Sequence, residues 1–186
     1  MAARPPAVAV TGGIAAGKSE ALAAFARHGA ATLSSDAIVH DLLARDPDVR
    51  AAVRARWGPE AVDDRARIGE IVFADPDELE WLEALLHPRA RAVTDAWLAS
   101  VDAPLAVVEV PLLYETGGER RFDAVVVITA SEDVRSRRRP GLEAREARLL
   151  PDVEKARRAD FVYVNDGSLA ELDEFVVSVV EAVCAR

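Results

Sequence analysis

Gly12 is followed, after four residues, by Gly17-Lys18-Ser19, the G-x-x-x-x-G-K-[ST] spacing of a phosphate-binding loop. The residue types suit that chemistry. Glycines let successive backbone N–H groups turn toward one point and carry no side chain that would hold a phosphate away. A helix starting behind the loop adds unpaired N–H donors and about half a positive charge. Lys18 can then reach the β- and γ-phosphates of a nucleoside triphosphate, and the Ser19 hydroxyl can ligate Mg²⁺. Gly12, Gly13, Ile14, Ala15, Ala16, Gly17, Lys18, Ser19 and Glu20 are therefore expected to line an ATP site, with Ser19 as its metal ligand.

Transfer of a phosphoryl group to a hydroxyl also asks for a carboxylate that orients the nucleophile and accepts its proton. Asp36 is the candidate, because it follows a short apolar strand where open α/β sheets bind ligands. Its competing role is a helix N-cap, worth about 0.5–2 kcal/mol. Glu109 closes a central apolar strand, and a charge there is costly unless paired or used. It is either a salt-bridged strand end or an acid that meets Mg²⁺ through water. Arg135, Arg137, Arg138 and Arg139 offer planar donors for the oxygens of a transferring phosphoryl group, against a plain solvated basic surface.

The elements that position these residues follow from periodicity. Residues 7–11, 30–33, 105–110, 124–129 and 161–164 are short apolar or β-branched runs of strand length. Helical patterns occupy 20–28, 36–45, 47–57, 65–74, 77–101 and 168–185, with Leu79, Leu82, Leu85 and Leu86 forming the stripe of the longest. Strands alternating with helices imply a three-layer α/β/α fold on a five-stranded parallel sheet. The block 36–100 is much longer than a parallel crossover needs and predicts an inserted helical lobe within one domain of 186 residues. The arginine-dense segment 135–151 predicts a lid.

Composition excludes several function classes. A net charge of −9 argues against nucleic acid as the main partner, since backbone binding wants a basic face. A single cysteine, Cys184, permits no internal disulfide and no cysteine cage for a metal. No apolar run reaches the length of a membrane span, and MAARPP lacks the apolar core of a signal peptide. A cytoplasmic setting with no membrane partner is expected, as a monomer or small homo-oligomer.

Further landmarks follow the loop in register. TGGIAAGKS at 11–19 and SSDAIVH at 34–40 come first, then FADP and EALLHP within 73–88. VPLLYE at 110–115, EKARRADFV at 154–162 and NDGSL at 165–169 complete the series. With these, the chain resembles the dephospho-coenzyme A kinases over nearly its whole length. The resemblance implies a P-loop kinase that uses ATP and Mg²⁺ to phosphorylate the ribose 3′-hydroxyl of dephospho-CoA. It implies catalytic roles for Asp36, Lys18 and Arg139, the last aligned with the inner lid arginine, and an adenine-side contact at Asn165. Acceptor contacts would come from Asp36, His40, His87, Pro111, Leu112 and Glu115. A histidine on a mixed helix face is otherwise a hydrogen-bonded structural residue, and 165–167 is otherwise an ordinary β-to-α turn.

The chain departs from the family pattern at Glu20, where threonine is usual, at Ser34, the usual first acid of an Asp-Ala-Asp motif, at Tyr114, usually Phe, and in a shortened lid. Glu20 beside a phosphate is unfavourable unless its side chain turns away. These departures leave two other readings: a nucleotide-binding relative with little kinase activity, or a kinase for another nucleotide-like hydroxyl.

Overall fold

The computed structural model describes residues 4–139 and 149–185. Five strands form one parallel sheet: β1 (Ala7–Gly12), β2 (Ala31–Ser34), β3 (Ala106–Glu109), β4 (Ala124–Thr129) and β5 (Phe161–Val164), in the order β2-β3-β1-β4-β5. Eight α-helices are found among the described residues: α1 (Lys18–Arg27), α2 (Ser35–Arg45), α3 (Pro47–Trp57), α4 (Arg65–Ala74), α5 (Pro76–Ser100), α6 (Glu132–Arg138), α7 (Asp152–Arg158) and α8 (Leu169–Cys184). The chain divides into two compact units, one comprising everything up to Ser34 and from Leu98 onward, the other Ser35–Trp97.

The sheet unit is organised by pleat alternation. Val8 and Val10 of β1, Val107 of β3 and Val126 and Ile128 of β4 pack with Phe25 of α1 and Leu172, Val176 and Val179 of α8. The intervening residues Ala9, Val125 and Val127 face a second cluster with Leu113 and Tyr114. Both faces of β1, β3 and β4 are covered, which is why these strands read as continuous apolar runs. The edge strands are less buried, and β5 alternates half-buried Phe161 and Tyr163 with exposed Val162 and Val164.

The helical unit is fixed by local signals. Asp46 caps α3 by accepting from the N–H groups of Asp48 (3.0 Å) and Val49 (2.9 Å), and Asp64 caps α4 through Arg67 N–H (3.0 Å). Glu78 on α5 accepts from both Arg56 and the Trp57 indole (2.7 Å), while Trp57 and Trp81 meet edge-on at 4.9 Å. This tie joins the end of α3 to α5.

The sequence-based boundaries hold at β4, β5, α3 and α4, and shift by a residue or two elsewhere. Helix α1 starts at Lys18 rather than at 20, because Gly17 is its N-cap with a left-handed backbone (φ 100°). Strand β2 slides to Ala31–Ser34, in register with β3, so that Ser35 is already helical. Two short helices, α6 and α7, flank the arginine-rich segment. The lid expected at 135–151 falls in its middle, 140–148, outside the described residues.

Candidate active site

The phosphate loop leaves the C-terminal end of β1, and its glycines are required by its neighbours. Gly12 has φ 140°, and a Cβ there would collide with the Ile128 carbonyl of β4. A Cβ on Gly17 would strike the Asn165 side-chain amide, so two of the motif's glycines are set by backbone conformation and close approach together. Ala15 takes the left-handed conformation (φ 58°) without being glycine. The ordinary cost of that is about 1–2 kcal/mol.

Other side chains clasp this loop. Lys18 Nζ donates to the Gly13 carbonyl at 2.8 Å, arching over the loop it belongs to. The Asn165 amide, just past β5, donates to the Ala16 carbonyl at 2.9 Å. Arg138, in the last turn of α6, donates to the Ala15 and Ala16 carbonyls (3.2 Å each) and to the Asn165 carbonyl (3.0 Å). Loop, arginine and post-β5 turn thus form one hydrogen-bonded cluster, with the carbonyls directed at the clasp. The arginine in this cluster is Arg138, whereas Arg139 lies just beyond the helix, exposed and in extended conformation. Helical phase explains the difference: Ser131 caps α6, and the helix ends at Arg138.

Glu20 turns away from the loop. Its carboxylate accepts from Arg27 at 3.2 Å, two turns along α1, and Arg27 also binds Asp173 of α8 at 3.0 Å. The acid that replaces the usual threonine is therefore charge-paired away from any phosphate.

Ser19 is exposed in the first turn of α1, and the buried Glu109 ends β3 in register with Val10 of β1 and Ser34 of β2. A hydroxyl and a carboxylate at the C-terminal sheet edge are the oxygen donors that Mg²⁺ favours. No cluster of three His, Cys, Asp or Glu able to hold a metal occurs among the described residues. The donor set fits an ion that arrives with nucleotide phosphates rather than one held in a protein cage.

The Pro111–Glu115 segment departs from β3. Leu113 and Tyr114 are buried, whereas Pro111 and Leu112 are half-buried. The Glu115 carboxylate forms an ion pair with Lys155 Nζ at 3.0 Å and accepts a hydrogen bond from the Leu150 N–H at 2.9 Å. Lys155 is fully buried, and Lys18 is the chain's one other lysine. This pair fastens α7 to the end of the segment, a contact between residues forty apart that no local sequence signal announces. Burial, with help from Asp160 and Glu119, raises the Tyr114 phenol above its usual 10.0, although Arg158 lies over the ring at 5.8 Å.

In the helical unit, Asp36 is the second residue of α2 and exposed. Its carboxylate makes no capping or ionic contact among the described residues, so the N-cap role is not the one it fills. His40 follows one turn later on the same face, and its Nδ1 meets Arg65 Nη1 at 3.0 Å. His87 is half-buried on α5, directly before Pro88. Sequence reasoning missed Arg65; the signal was an arginine directly after the N-cap aspartate of a predicted helix.

A parallel sheet in the order β2-β3-β1-β4-β5, with its phosphate loop between the middle strand and the first helix, is the architecture of P-loop kinases. Within that class, the chain belongs to the dephospho-CoA kinase family. The family's sequence profile, described as Dephospho-CoA kinase, matches residues 6–171. A Rhodopseudomonas palustris dephospho-CoA kinase is 42% identical over 167 residues, covering 82% of this chain and 83% of its own. A crystal structure of TT1252 from Thermus thermophilus superposes with a TM-score of 0.82 at 34% identity, covering 97% of this chain and 98% of the other. Dephospho-CoA kinase from Campylobacter jejuni superposes with a TM-score of 0.69 at 28% identity, covering 96% and 98%. Membership makes the chain a transferase, a kinase of coenzyme A biosynthesis. Among the described residues no helix is long and apolar enough to cross a membrane.

Proposed function

We propose that the chain transfers the γ-phosphate of ATP to the ribose 3′-hydroxyl of dephospho-CoA, giving coenzyme A and ADP. The observation that carries this reading is the complete phosphate loop, clasped by Arg138 and Asn165, in a chain of this family. Loop N–H groups and the α1 N-terminus bind the β- and γ-phosphates, and Lys18 leaves the Gly13 carbonyl to neutralise charge on the transferring group. Arg138 and Asn165 border the adenine, and Arg138 rather than Arg139 is the arginine fixed at the loop. Asp36 orients the acceptor hydroxyl and takes its proton as the new P–O bond forms and the bond to ADP breaks. His40, His87, Pro111 and Leu112 supply acceptor contacts, and Glu115 holds their segment in place through Lys155. Ser19, with Glu109 behind it through water, would hold Mg²⁺, which when bound offsets phosphate charge.

The test is product identification. Protein given Mg·ATP and dephospho-CoA is expected to form coenzyme A, read by mass spectrometry, with the new phosphate placed at the 3′-oxygen by phosphorus–proton NMR correlation. Lys18→Ala should abolish formation with the circular dichroism unchanged. ATP binding without coenzyme A at high enzyme concentration would contradict the reading, as would phosphate on the 2′-oxygen.

A further inference from the structure

The helical unit contains a cavity of about 150 Å³ between α2, α3 and α4. Its polar lining is His40, Arg50, Asp63 and Arg65, over an apolar floor that includes Leu43 and Ile68. Two of the charged groups are already spent. Arg50 donates to Asp63 at 2.8 Å and to the Ala44 carbonyl at 3.0 Å. Arg65 differs: its partner is the His40 ring nitrogen Nδ1, at 3.0 Å, and among the described residues no carboxylate pairs with it.

The direction of that bond is fixed by chemistry. A guanidinium has no lone pair to accept with and does not deprotonate, so His40 Nδ1 is the acceptor. With Nδ1 accepting, the ring N–H is at Nε2, a second donor. Arg65 is held in one pose by a partner that does nothing to cancel its charge, in a chain whose net charge is −9. Lining of this kind suits an anion with several acceptor oxygens. The volume is below the range of about 300–1,000 Å³ for whole small-molecule sites, so it fits a phosphate or diphosphate and not an entire nucleotide.

We propose that this cavity is a diphosphate subsite for the acceptor, with Arg65 as the anion-binding residue and His40 as its positioning residue. The assignment rests on the proposed reaction, because dephospho-CoA carries a diphosphate between its nucleoside and its pantetheine arm. Adenosine-side recognition is then left to other residues, and the cavity reads the charged middle of the molecule. His40 accordingly acts through Arg65, which its Nδ1 holds in place.

Steady-state kinetics on the full chain test the residue roles. Arg65→Met is expected to raise the dephospho-CoA KM about tenfold or more, with the ATP KM within about twofold. His40→Ala should raise the acceptor KM about three- to tenfold. His40→Asn, whose amide oxygen replaces the Nδ1 acceptor, should restore most of that loss, and His40→Gln should not. An unchanged acceptor KM in a folded, active Arg65→Met protein overturns the proposal. A second measurement separates this from failure of the reaction itself. Calorimetry with inorganic pyrophosphate on Lys18→Ala protein, whose phosphate loop is disabled, should detect a site that Arg65→Met removes. Absence of that site, or its survival in Lys18→Ala/Arg65→Met protein, overturns the subsite whatever the enzyme's activity. Pyrophosphate binding that depends on Arg65 while the dephospho-CoA KM does not would make it a free-anion site and overturn the acceptor assignment.

Discussion

The phosphate loop and the Asp36–His40–Arg65 face of the helical unit solve the problem of placing charged groups in opposite ways. In the loop, the placing is done by backbone geometry: positive-φ glycines set the curve, and Arg138 and Asn165 tie its carbonyls. On the helical face, the placing falls to side chains on ordinary helical turns: an exposed Asp36 carboxylate with no ion-pair partner among the described residues, and an Arg65 guanidinium hydrogen-bonded to the His40 ring. In the first arrangement the Gly13, Ala15 and Ala16 carbonyls are already hydrogen-bonded. The second leaves charge available for a ligand to neutralise. A donor that always presents the same triphosphate suits the former, and an acceptor recognised along its length suits the latter.

The sharpest break of that comparison is in the sheet unit's supporting contacts. Glu115→Ala would leave Lys155 buried without its counter-charge, and loss of one partner of such a pair costs about 3–5 kcal/mol. Chemical denaturation should detect this as a large drop in midpoint. Lys155→Met, which removes the buried charge itself and keeps much of the volume, should be milder. A Glu115→Ala protein as stable as wild type would show that the pair supports nothing.

A smaller effect separates adjacent arginines. Arg138→Gln should weaken ATP binding about tenfold, since charge-assisted hydrogen bonds are worth about 1.5–3 kcal/mol before solvent screening. Arg139→Gln should stay within about twofold. Equal effects by calorimetry would return the role to Arg139 and cost the loop its clasp.

Tyr114→Phe should stabilise. The phenol oxygen is buried without a hydrogen-bond partner among the described residues, and such a group costs about 1–3 kcal/mol. Removing it should raise Tm by about 2–4 °C, with activity kept. A fall in Tm would mean the hydroxyl is bonded after all.

The smallest effect belongs to the helical unit. Arg56, and then the Trp57 indole, hold the Glu78 carboxylate below its usual 4.5. A carboxylate lowered on folding adds stability above its unfolded value, and that contribution is lost as pH falls through the folded value. Thermal melts of wild type should therefore weaken with acid below about pH 4.5, and Glu78→Gln should flatten that slope slightly. An unchanged slope would dissociate the pair from acid stability.

The contrast between the two regions also explains what the sequence could reveal. A backbone site demands particular letters, so Gly12, Gly17, Lys18 and Ser19 were legible at fixed spacing. Strands buried on both faces were legible for a similar reason, since β4 has apolar side chains on either side. Arg138 against Arg139 was not, because the choice depends on where Ser131 starts the helix. Lys155 with Glu115, and Arg65 with His40, join residues forty and twenty-five apart through packing alone, which no periodicity encodes. Ser34 proved to be a strand residue in register with Glu109, so its departure from the family's acid changes the sheet edge itself.

If the loop binds ATP and the helical face supplies the group that activates the acceptor, the two functions should separate in one variant. Asp36→Asn tests that separation most directly, with ATP affinity by calorimetry and phosphoryl transfer by single-turnover quench measured on the same protein. The expected result is an ATP affinity within about twofold of wild type and a transfer rate lower by about a hundredfold, a typical general-base contribution. Undiminished transfer in a folded Asp36→Asn protein would contradict the account.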